Sequence, residues 1–220
     1  MNSKTPKPPS DCNVGVGLDK LLRSGGCNYK SFLPSAYHGI VKTKILQSFI
    51  EKYGTAFPGP SPDISNAVLL GLSNVTCRFY GSFMVSGARI GSASAEGALH
   101  GHHGELAERL SYINRGEFSW PSTVPGFFCG PTMWSVSVSY TLKFAGAFDH
   151  LNKLNSAMLH GRCLVFHSNY FSLIIRSLIK QRLGVILAFP FTVGLSLCER
   201  VAEYASNYFL HSPMLNQFSS

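Results

Sequence analysis

The stretch from His100 to Leu110, "HGHHGELAERL", places three histidines within four positions, shortly ahead of a glutamate. A neutral imidazole binds zinc well, and His103-Gly104-Glu105 has the form His-x-Glu. A carboxylate two positions beyond a ligand can face a metal-bound water without ligating the metal. It can then take a proton from that water and pass it to a leaving amine. Leu106, Leu110 and Ile113 fall on one helical face and Gly116 supplies a stop, so the spacing predicts a helix beginning near Glu105. The plainer reading of the same residues is a polar helix start. Glu105 and Glu108 would then favour the positive end of the helix dipole, and His100 and His102 would be loop residues.

A second group of chemistry-bearing residues follows in "WPSTVPGFFCGPTM", starting at Trp120. Cys129 lies beyond two prolines and is placed to open a helix, where a thiolate is stabilised and makes a good zinc ligand. Its alternative is a buried free thiol among Phe127, Phe128 and Trp134, acting as a small hydrophobe.

The elements that must position these groups are read from pattern. With 220 residues the chain can bury one sizeable core. The proline-rich start, "MNSKTPKPPSDC", reads as part of a flexible lead-in over 1–30, with no apolar leader segment, and residues 31–220 as one domain. Ile45, Leu46, Phe49, Ile50 and Tyr53 predict a helix closed by Gly54, and "TAFPGPSPDISNA" a loop. "NVTCRFYGSFMVSGARIGSAS" predicts two strands joined near Gly87. After Cys129 the chain fits either a short helix or, in "SVSVSY", an alternating strand. The tail reads as strand "RCLVFH", basic amphipathic helix "NYFSLIIRSLIKQRL", strand "GVILAF" and closing helix, which implies a parallel pair with helices packed on it. No cysteine pair shows Cys-x-x-Cys spacing, which points to a reducing, cytoplasmic setting.

Hairpin, His-x-Glu, proline-then-cysteine and the strand–helix–strand tail, in that order, resemble the cytidine-deaminase superfamily, in particular its toxin-type (YwqJ-like) branch. The residues that carry the resemblance are "GSFMVSGARIGSAS", "HHGELAERL" and "WPSTVPGFFCGP". It implies a single three-layer α/β domain, a central mixed sheet flanked by helices. It also implies Zn2+ held at two helix starts, with His103 and Cys129 as ligands and Glu105 as the proton shuttle. Where the family carries Pro-Cys-x-x-Cys, Pro125 is followed by Gly126, so one thiolate is absent. The third ligand is open among His102, His100 and Cys77, with His102 adjoining the motif.

The activity so implied is hydrolytic deamination of a nucleobase, nucleoside or nucleic acid. A net charge of +8 agrees with an anionic partner such as a nucleotide or single-stranded nucleic acid. Arg176, Lys180 and Arg182 are candidates for phosphate contact, or simply the solvated face of a helix. The alternative is a non-catalytic accessory or interaction protein, either a metal-free relative of this fold or a membrane-complex subunit. Its basis is the low charged fraction, 14%, and the uncharged run Leu183–Cys198. Because Pro190 interrupts that run, a buried strand followed by a helix is the expected reading, without stable membrane insertion.

Overall fold

The computed structural model describes residues 10–27, 33–37, 39–73, 75–79, 104–105 and 119–211. Those residues are mostly helical. Their strands form two short antiparallel pairs. β1 (Ser10–Cys12) pairs with β2 (Cys77–Phe79), and β3 (Gly104–Glu105) with β4 (Phe127–Phe128). The bulk of the predicted hairpin, from residue 80 onward, lies outside the described residues.

The packed body begins at residue 10, inside the stretch expected to be a flexible lead-in. β1 places Cys12 opposite Cys77 and the two form a disulfide, with an Asp11–Arg78 ion pair at 3.2 Å beside it. α1 (Val14–Arg23) follows at once, because the Asn13 side chain accepts a hydrogen bond from the Val16 amide and caps it. Leu18, Leu21 and Leu22 lie on its inner face and are buried. Full burial of a leucine contributes roughly 1.5–3 kcal/mol, enough to hold this helix on the body.

α2 (Thr43–Tyr53) forms where the spacing predicts it and ends at Gly54, whose φ of 78° is the left-handed conformation that glycine adopts without strain. α3 (Pro62–Leu72) begins inside the stretch expected to be a loop. Pro62 is tolerated in the first turn, where its missing N–H costs nothing, and Ile64 to Gly71 are all buried.

α4 (Gly130–Phe144) resolves the helix-or-strand ambiguity after Cys129 as helix. Ser137, Ser139 and Thr141 turn their hydroxyls back onto carbonyls four residues earlier, so the alternating "SVSVSY" can be buried as helix with its polar atoms satisfied. α1, α3 and α4 share one core through Leu18, Leu22, Ile64, Val68, Val138 and Leu142. α5 (Phe148–Asn152) is a short link.

The tail departs most from expectation. The strand predicted over 162–167 is the second half of helix α6 (Ser156–Phe166), started by the Asn155 side chain accepting from the Met158 amide at 3.1 Å. A short 3-10 turn leads to α7 (Phe171–Leu178), part of the predicted amphipathic helix. The strand predicted over 184–189 and the helix after it are one helix, α8 (Leu183–His211), which carries Pro190 inside it. A short apolar run fits a buried strand and a helix equally well, and a strand requires a pairing edge. Among the described residues no strand pairs with these runs, so the parallel pair, and with it the argument against a helical membrane assembly, falls away.

α8 packs along α6 through small residues. A Cβ on Gly161 would stand 2.7 Å from the Thr192 hydroxyl and 2.8 Å from its carbonyl carbon, so only glycine permits this approach. Thr192 Oγ1 donates toward the Ala157 carbonyl at 2.9 Å, and further along Arg162 Nη1 meets Glu199 Oε2 at 2.5 Å.

Candidate functional site

Two places combine residues in ways that packing alone does not require. The first is centred on Cys129. Antiparallel pairing of β3 with β4 sets Gly104 opposite Phe128 and Glu105 opposite Phe127, so the backbone of Glu105 lies beside the residues that lead into Cys129. This corrects one expectation, since residues 104–105 form a strand and not a helix start. His100, His102 and His103 lie outside the described residues. Cys77, a candidate third ligand, is bonded to Cys12 and has no free thiolate to offer.

Cys129 occupies the N-cap of α4, as its sequence context suggests. Its sulfur accepts from the amide of Thr132, and the Thr132 hydroxyl lies 3.4 Å from it while accepting from the Cys129 amide at 3.0 Å. Burial pushes the Cys129 thiol up, but hydrogen bonds from Cys163 and His167, the charge on His167 and the Thr132 hydroxyl outweigh it. The balance draws Cys129 well below the ordinary thiol range. Its hydrogen-bond partner Cys163 is pushed up by sharing that bond with the thiolate, and further by burial. Nearby Cys27 is pushed up to about 12 by burial and stays a neutral thiol.

Cys163 and His167 are the residues that sequence reasoning missed. Their four-residue separation is the available signal, because on α6 it brings the cysteine and the helix-ending histidine to one side. The cluster is closed from water, with Cys129, Cys163 and Phe127 buried and Tyr170 stacked on Phe127 at 4.3 Å between ring centroids. Among the described residues no three of His, Cys, Asp and Glu are grouped to hold a metal ion.

The second place is the outer face of α8. Leu183, Leu187, Phe191 and Leu195 recur every four residues and are exposed, continued by Cys198, Val201 and Ala202. The side turned to α6 carries Thr192 and Ser196, both buried. A helix in water hides its apolar stripe and shows its polar one. α8 does the reverse.

The segment Leu183–Ala205 is 23 residues long, and only 11% of its most apolar window is buried. Its charges lie at one end and are engaged by α6. Glu199 and Glu203 face Arg162, and the Arg200 guanidinium donates to the Val165 carbonyl. α7 extends the surface with exposed Phe171, and the turn after it with Ile179.

Comparison with known proteins adds no relative: no family model, curated protein or solved structure matches the chain.

Proposed function

We propose that this chain is a membrane-bound accessory protein, a subunit seated in a bilayer through α8. The observation that carries this reading is the outward apolar stripe of a helix long enough to cross. At 1.5 Å per residue its 23-residue segment extends about 34 Å, against a hydrocarbon core of about 30 Å. Two ordinary explanations of such a segment do not fit. A core helix of a soluble domain is mostly buried, and this one is not. A leader stands at the front of a chain, and 182 residues precede this helix.

The small-residue seam between α6 and α8, with Gly161 against Thr192, is the close backbone approach by which helices associate in lipid. Charges at membrane depth persist where they pair, as Arg162 and Glu199 do. The Cys12–Cys77 disulfide belongs with an oxidising compartment rather than the reducing one expected from cysteine spacing, and so supports a membrane protein of the export route. This reading departs from the expectation of no stable insertion. The test is flotation of the full chain with membranes after an alkaline wash. Recovery with the lipid is expected, and recovery in the aqueous fraction would overturn it.

One observation favours a second reading, a zinc-dependent deaminase of the three-layer fold. It is the approach of the Glu105 backbone to the loop that ends in a thiolate at a helix N-terminus. Cys129 has the donor chemistry that zinc prefers, and His103 and His102 would complete the set, with Glu105 moving the proton. On this reading zinc is near-stoichiometric in untagged protein, His103→Ala loses it, and Glu105→Ala keeps zinc but not turnover. Metal analysis of the three proteins checks this, and folded parent protein without zinc eliminates the reading.

A further inference from the structure

We propose that the membrane surface this chain selects is anionic, and that Arg176, Lys180 and Arg182 bind its phospholipid headgroups at the entry to α8. This rests on the membrane reading above and names the lipid class that reading requires.

Three features of the molecule support it. All three cations are exposed, and they are gathered between the last turn of α7 and the first residue of α8. Among the described residues no ion pair engages them; the pairs formed there use Arg78 and Arg162. The sequence around them is one-signed, with no Asp or Glu between Asp149 and Glu199 and five Lys or Arg. Among the described residues nothing therefore neutralises the collar.

The cations are interleaved with exposed apolar side chains: Phe171 at 56%, Ile179 at 69% and Leu183 at 69%. This mixture decides between two phosphate-bearing partners. A nucleic acid would meet the cations and leave Ile179, Leu183 and Leu187 in water. A bilayer covers both, because the apolar side chains enter the acyl region while the long basic side chains reach back to the headgroup level. The collar also lies where it should. It adjoins the Leu183 end of the uncharged run, so a helix inserted from that end leaves it at the lipid–water boundary.

Each Lys or Arg held near an anionic surface strengthens attachment by roughly fivefold, so three together give about a hundredfold. The experiment dilutes the full chain from detergent into phosphatidylcholine vesicles, with or without phosphatidylserine, and floats them. The parent chain is expected to bind the anionic vesicles about a hundredfold more tightly, with the gap narrowing as salt is raised. The variant R176Q/K180Q/R182Q is expected to lose that preference and still float with neutral vesicles.

Equal binding of the parent chain to both vesicles would overturn the inference and leave the membrane reading standing. Binding to neither would overturn both. Displacement from anionic vesicles by a single-stranded oligonucleotide would assign the collar to nucleic acid and overturn the inference as well.

Discussion

Replacing Leu187 and Phe191 together by lysine is expected to release the chain from membranes. Both side chains are 71% exposed on the outer stripe of α8, and neither belongs to a buried core cluster, so the body of the protein loses no packing. Phe191 lies three residues from the centre of the 183–205 segment, where a lysine costs about 2.5–3.5 kcal/mol, on the order of a hundredfold in partitioning. A lysine at 187, about one turn inside the boundary, adds a smaller cost. The expected result is a parent chain that floats with lipid after an alkaline wash and a double variant that stays in the aqueous fraction with its helical content kept. A double variant that floats like the parent would mean that α8 is covered by something other than lipid, such as a second protein surface.

Loss of the Cys12–Cys77 bond is expected to have the largest effect on stability. The bond closes a loop with a sequence separation of 65 and ties the strand before α1 to the strand after α3. On the chain-entropy account, opening a loop of that size costs about 4 kcal/mol, a large share of the stability of an ordinary domain. The exposed Asp11–Arg78 pair beside it is too solvated to compensate. Cys12→Ser should therefore lower the urea midpoint sharply, and adding Cys77→Ser should lower it little further, because the two residues act as one unit. Alkylation of the unfolded, unreduced parent chain is expected to count four thiols, those of Cys27, Cys129, Cys163 and Cys198. Six alkylated thiols would rule the bond out.

How much of this was legible in the sequence depended on whether local pattern or tertiary company decided each element. α2 was legible to its C-terminal end, because five apolar residues at helical spacing and a following glycine leave one solution there. The helix start at Cys129 was legible too, since Pro131 fits a first turn and no later one. The tail was not. "RCLVFH" and "GVILAF" are short apolar runs without a polar alternation to set their period, and Asn155, which starts α6, lies seven residues upstream of the first of them. The burial pattern of α8 was equally hidden. Sequence shows an apolar run but not which side of it meets α6, and that side proved to be the one with Thr192 and Ser196.

The candidate site divides in the same way. The chemistry of Cys129 was readable from its position ahead of a helix, whereas its partners Cys163 and His167 come from an element whose type was misjudged. The disulfide was out of reach, because six cysteines without characteristic spacing permit many pairings and pattern ranks none of them.

The claim that α8 faces lipid can be tested without altering a residue. Cys198 is the one exposed free thiol among the described cysteines, and it lies on the outer face of that helix. Membranes carrying the chain would be treated with a charged maleimide that does not cross bilayers, before and after solubilisation in mild detergent. The membrane reading predicts a thiol shielded in intact membranes that reacts once detergent admits the reagent. Equal and rapid labelling of Cys198 in both conditions would place α8 in water and contradict the account.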